Sequence, residues 1–424
     1  MVMKRSFLQL IALLLGAISL VNCSSAPSCV LIGADAPVRG LSRTPAAAGS
    51  GCPVNSGGGG GGGGNGACSN TLTPTDVLFG QGTTGAITTL AINTPVGTNL
   101  SLMCTTANAG LGQIAVANVL ASSKNFLYTL SVTTSGTTRT GTINGFAIGH
   151  VAPVTLTAVG PAFTISGTNI LQTVVEMQAD PSGRFLTVTD AASSHVHVLL
   201  IDPNLGTLTE APGSPFTAAN ALFTAVGASG EFLYVTDQSD EQIFIFLINV
   251  TSSTQVLTQT INSPFAEPTH LAANAPISMQ VNLAGTFLYT ANTASISFYA
   301  INPIDGSLST VAGSPLSFTP QFNPQLLTMD VTGSFLYALG QGLEGVLGFT
   351  MNANGTLTLI SGTSTAGGSS VTDMLVNPLG GQMYLLVAGA IDVFTIDPNT
   401  GALSAVTSTT TFTSSSNLAA AKVQ

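Results

Sequence analysis

Few residues in this chain have the type and spacing that chemistry needs, and they fall into three groups. His195 and His197 stand two apart, so on a strand both point to one face, as two metal ligands would. Other copies of the repeat described below hold Gln242 and Phe244, or Ser295 and Ser297, at the same places. The pair therefore also reads as tolerated polar residues, and no metal site is assigned. His150 and His270 are isolated. Asp237-Gln238-Ser239-Asp240-Glu241 is the densest acidic cluster; its carboxylates are the oxygen ligands calcium prefers, but a calcium loop's glycine and spacing are missing. A solvated turn is the plainer reading. In the third group Glu176, Ser278 and Asp373 share one column of the repeat, and Gln178, Gln280 and Thr328 share the column two residues on. Met177, Met279, Leu327 and Met374 lie between them. A two-residue period puts both polar columns on one face. That face is expected to look into a central channel and form a small-molecule site; the competing reading is that it hydrogen-bonds the neighbouring unit.

The elements that position these groups form a repeat. Phe126-Leu127-Tyr128, Phe185-Leu186-Thr187, Phe232-Leu233-Tyr234, Phe287-Leu288-Tyr289, Phe335-Leu336-Tyr337 and Gln382-Met383-Tyr384 begin copies that start 59, 47, 55, 48 and 47 residues apart. Such periods are those of propeller blades. A second column set follows at 143–148, 196–201, 243–248, 296–301, 346–351 and 391–396, apolar on both faces and so buried on both. Next comes a turn such as Asp202-Pro203-Asn204-Leu205-Gly206, in which Pro presets φ and Gly tolerates positive φ. A short outer strand and a Gly213-Ser214-Pro215-Phe216 type loop lead to the next copy.

A seventh copy is split. Thr71 to Met103 supplies three strands, with Ile87 following Asp76 at the same offset as Val196 follows Phe185. The missing innermost strand is expected at 417–424, closing the ring and removing its edges. The fold class is all-β: a seven-bladed β-propeller of four-stranded antiparallel blades over 71–424.

Composition agrees. The chain is 45% hydrophobic and only 6% charged, with a net charge of −10. Nucleic-acid binding needs Lys and Arg against phosphate, and the propeller holds only Lys124, Arg139, Arg184 and Lys422. No cofactor is expected.

At the N-terminus Lys4 and Arg5 precede an apolar run from Phe7 to Leu15, the parts of an export signal over 1–22. Leu20-Val21-Asn22-Cys23 resembles a bacterial lipobox, which implies that Cys23 is acylated and becomes the mature N-terminus; Asn22 departs from the small residue usual there. Ser24 resembles the following residue of lipoproteins sent to the outer membrane. From 23 to 70 the chain is a tether with an unbroken glycine run from Gly57 to Gly64, a flexible coil by composition. Cys29, Cys52, Cys68 and Cys104 remain. Cys52 and Cys68 flank the glycine run and are a candidate disulfide, with three connectivities open.

Tyr234-Val235-Thr236-Asp237 and Tyr289-Thr290-Ala291-Asn292, with the turn and the Gly-Ser-Pro-Phe loop, resemble bacterial YVTN-type propellers of the lactonase-like family, which includes 6-phosphogluconolactonases. The resemblance implies lactone hydrolysis, which needs a general base and donors for an oxyanion. No catalytic residue of that family is matched here. The expectation is a monomeric, non-catalytic binding or scaffold module at the cell envelope, whose partner is a protein, glycan or small molecule. Lactone hydrolysis is the alternative.

Overall fold

The computed structural model describes residues 76–422, apart from 82–86, 93–99, 107–111, 151–153, 169–170, 172–175, 228, 238, 267–276, 319–321, 343–344, 362–370, 388–389 and 412–417. The expected export signal, Cys23, the tether, Cys29, Cys52, Cys68 and His270 lie outside the described residues.

Seven antiparallel sheets form the blades. Six are contiguous in sequence, and we number them in chain order. Blade 1 comprises Gly112–Val119, Lys124–Ser135, Thr138–Ile148 and Leu156–Thr168, from inner to outer strand. Blade 2 comprises Met177–Ala179, Phe185–Asp190, His195–Ile201 and Leu208–Glu210. Blades 3 to 6 repeat this order, with inner strands Ala221–Val226, Ser278–Val281, Phe322–Met329 and Val371–Val376. Blade 7 is the split one. Its inner strand, Leu418–Lys422, pairs antiparallel with Asp76–Gln81, so that Asp76 lies opposite Lys422 and Gly80 opposite Leu418. Ile87–Ile92 and Leu100–Thr106 complete it. The ring closes as the split repeat requires.

Two local features differ from expectation. In blade 1 the second and third strands run on as a hairpin to a two-residue turn, with Ser135 opposite Thr138 and Gly136 at φ 62°. The Thr-rich stretch from Val132 to Thr142 is β-branched and has no stronger local alternative, so the ladder simply continues. Secondly, the Ser-Pro loops do not pass straight to the next blade. Phe216–Thr217, Phe265–Ala266 and Leu316–Ser317 first turn back onto the third strand of their own blade. There the hydroxyls of Ser214, Ser263 and Ser314 accept the N–H of Val198, Ile245 and Phe298 at 3.0, 2.8 and 2.9 Å. The hydroxyl stands where a strand carbonyl would, so the third strand's donor stays satisfied.

The core is divided among seven apolar clusters, each drawn from two adjacent blades. Sheets whose two faces are both buried need apolar residues on both, and each cluster draws such residues from the facing strands of its two blades. One contact recurs between blades. Tyr128, Tyr234, Tyr289 and Tyr337 donate to the carbonyls of Gly206, Gly306, Gly355 and Gly401 in the next blade's turn, at 2.8 to 3.1 Å. The Phe two residues earlier covers the same glycine: an added Cβ on Gly306 would sit 2.5 Å from Phe232, and on Gly401 2.5 Å from Phe335. Burial raises the pKa of these phenols, to about 12 for Tyr289. For Tyr128, Tyr234 and Tyr337 the carboxylates of Asp202, Asp305 and Asp330 add to it. The phenols therefore remain neutral donors. The Phe-x-Tyr motif and the turn glycine are two halves of one inter-blade latch.

Candidate functional site

The inner strands carry the polar set that the sequence marks out. Their alternating columns face the two neighbouring blades. Met177, Met279, Leu327 and Met374 pack into the clusters shared with the preceding blade. The polar columns turn the other way. Glu176 Oε2 accepts the Thr224 N–H of blade 3 at 3.0 Å, and Gln178 Oε1 accepts the Thr224 hydroxyl at 2.9 Å. In blade 4 the Ser278 hydroxyl accepts the Leu327 N–H at 3.1 Å, while Gln280 Nε2 donates to the Leu327 carbonyl at 3.2 Å. Four of the six candidate side chains are thus joined to the next blade. The cause is geometric: a blade stands with its faces toward its neighbours, so side chains alternate between neighbours. Period two grouped these residues correctly but could not say which way the group faced. Asp373 is also buried, at 2% exposure, and Thr328 is half-buried.

Further polar contacts join blades 2 and 3. Thr224 Oγ1 lies 2.8 Å from Thr187 Oγ1, and Thr189 Oγ1 donates to the Leu222 carbonyl at 2.8 Å while accepting the Glu176 N–H at 3.0 Å. Glu176 and Gln178 are 3% and 2% exposed. Gln178 Nε2 is buried and has no hydrogen-bond partner.

The other candidates are dispersed. His197 Nδ1 lies 3.1 Å from Glu210 Oε1, which also accepts the Ser214 hydroxyl at 3.0 Å. His195 is half-buried, opposite Asp190 and Thr217 in the ladder. Asp237 Oδ1 accepts the N–H groups of Ser239 and Asp240 at 3.0 and 3.2 Å, closing the turn of its own acidic cluster. Asp190 does the same for the Ser193 N–H and hydroxyl at 3.3 and 2.6 Å. The last residue of the Tyr-Val-Thr-Asp motif is a turn cap, a role the sequence reading missed. Among the described residues no group of three His, Cys, Asp or Glu could hold a metal ion.

Basic side chains are few, and two of them bind backbone. Lys124 Nζ donates to the Asn204 carbonyl at 2.6 Å. Arg184 binds Asp180 through Nε and Nη2, both at 2.8 Å, and its Nη2 reaches the Gly230 carbonyl of blade 3 at 2.9 Å. The Asp180 hydrogen bond raises its pKa against the opposing effect of burial. The exposed turn carboxylates Asp202 and Asp397 are held below the usual range by the N–H groups of Leu205 and Asn204, and of Asn399 and Thr400.

No family model matches this chain, and no curated protein matches it. Solved structures do. A candidate 6-phosphogluconolactonase from Bacteroides fragilis superposes with a TM-score of 0.62 at 17% identity, covering 83% of this chain and 100% of that one. The periplasmic gluconolactonase of Pseudomonas aeruginosa gives 0.61 at 16% identity, covering 82% and 99%. A candidate 6-phosphogluconolactonase from Bacteroides uniformis gives 0.59 at 15%, covering 82% and 100%. At these identities the likeness is one of fold: this chain has the architecture of the lactonase-like seven-bladed propellers.

Proposed function

We propose that the chain is an exported, lipid-anchored propeller acting as a non-catalytic binding or scaffold module at the cell envelope. One observation carries the reading. Glu176, Gln178, Ser278 and Gln280, the inner-strand groups that a central site would use, hold neighbouring blades together. Contact with a protein, glycan or small molecule then falls to the loops at the two ends of the ring. The protein acts as a monomer, touching the membrane only through the lipid on Cys23, and nucleic acid is not among its partners.

The second reading is lactone hydrolysis, favoured by the activities named for the Bacteroides and Pseudomonas structures. A panel of sugar and aliphatic lactones incubated with the purified chain separates the two. The binding reading expects no turnover above the uncatalysed rate. Turnover that Asp373→Asn abolishes without change of fold would establish the enzyme instead.

Anchoring has its own check. A fatty-acid probe fed to expressing cells is expected to label the wild type and not Cys23→Ala. Equal labelling of both removes the lipid anchor from the account.

A further inference from the structure

Among the described residues four seams carry the latch, and the seam between blades 2 and 3 lacks both of its halves. Blade 2 has Thr187 where blades 1, 3, 4 and 5 have the latch tyrosine. The facing turn of blade 3, 249–256, has no glycine to receive one, and it is two residues longer than 202–207. The residue opposite the latch position varies among the blades. Tyr128 and Tyr234 lie across the ladder from Ala115 and Ala225, Tyr289 from Gln280 and Thr187 from Gln178, so blade 2 keeps the inner-strand glutamine of blade 4 without its tyrosine.

The outer half of this seam is ordinary, with Phe185, Val198, Phe216, Val256 and Leu257 in one apolar cluster. Its inner half sets hydrogen bonds among Glu176, Gln178, Thr187, Thr189 and blade 3 beside the apolar Ala221 and Val226. Water can replace such bonds at small net cost, but it cannot replace the buried ring of a tyrosine. One group also gains from hydration: the Gln178 carboxamide, whose buried Nε2 has no partner.

We propose that the ring is built to open locally here, the inner strands of blades 2 and 3 parting while the outer seam stays closed. Opening presents a carboxyl, a carboxamide and threonine hydroxyls to water at the centre of the ring. This is a property of the ring and does not depend on the binding reading above.

Two cross-seam amides make the comparison internal. Thr224 N–H is held by Glu176 Oε2, and Leu327 N–H, at the latched seam of blades 4 and 5, by the Ser278 hydroxyl at similar length. Native-state hydrogen exchange on the full chain, corrected for intrinsic rates, is expected to show Thr224 exchanging at least tenfold faster than Leu327. Equal or slower exchange at Thr224 overturns the proposal. A second measurement installs the latch, combining Gln178→Ala and Thr187→Tyr with the 202–207 turn sequence in place of 249–256. The combination is expected to slow Thr224 exchange at least tenfold, while Thr187→Tyr alone does not. If the latched variant folds and Thr224 exchanges as fast as before, the missing latch is not what opens the seam.

Discussion

A chain ending at residue 411 is expected to lose cooperative unfolding altogether. Leu418–Lys422 is only five residues long, but it is the inner strand of the split blade and touches two seams. Ala419 and Ala421 pack with Val77, Phe79, Ile114, Leu127 and Phe146 toward blade 1. Leu418 and Ala420 pack with Leu78, Leu90, Tyr384 and Leu386 toward blade 6. Removing the strand unpairs the inner edge of Asp76–Gly80 and exposes apolar side chains on both sides. At ~25 cal/mol per Å² of apolar surface, the loss is on the order of 5 kcal/mol or more, comparable with the whole stability of a typical domain. Scanning calorimetry is the check. A single sharp transition is expected for the full chain and none for the truncated one, with partial recovery on adding a 417–424 peptide. An unchanged transition would mean that ring closure contributes little.

The second large effect is expected at the turn glycines. Gly306→Val should destabilise by about 2–5 kcal/mol, combining roughly 1–2 for a left-handed backbone and 1–3 for overpacking. Gly306 has φ 72°, and an added Cβ would lie 2.5 Å from the Phe232 ring. Gly285→Ala is the control. Gly285 has φ 68° but nothing within 4 Å of the added Cβ, so only the backbone cost of about 1 kcal/mol applies. Urea midpoints for the two variants read the difference directly. If the two are equally destabilised, the Phe-x-Tyr motif does not clamp the next blade's turn.

The ring itself was legible because it is written repeatedly. Copies of the aromatic strand and the Asp-Pro turn locate the blades, and the split copy announces its own closure. The latch was harder to see, since its partners lie 64 to 78 residues apart. The signal was nevertheless present: tyrosine and turn glycine occur together in four blade pairs, and 187 and 249–256 lack both. The extended hairpin of blade 1 was hidden by Thr and Ser, which read equally well as loop until their β-branching is weighed. The candidate site was legible only as a set of residues. Spacing showed that Glu176 and Gln178 share a face with their counterparts. It could not show that this face meets another blade, because that depends on how the blade stands in the ring. Arg184 stands in a column that elsewhere holds Glu231, Thr286 and Ser334, so the repeat assigns it no role. Its bond to the Gly230 carbonyl depends on a turn in the next blade.

The central claim is that the polar groups of the inner strands join blades and do not perform catalysis. Lactone hydrolysis by the wild type and Glu176→Ala, measured side by side with their thermal midpoints, tests it most directly. Losing the acceptor of the buried Thr224 N–H is expected to cost about 1–3 kcal/mol, so the midpoint of Glu176→Ala falls while neither protein turns over a lactone. Turnover by the wild type that disappears in Glu176→Ala, with the midpoint unchanged, would contradict the account.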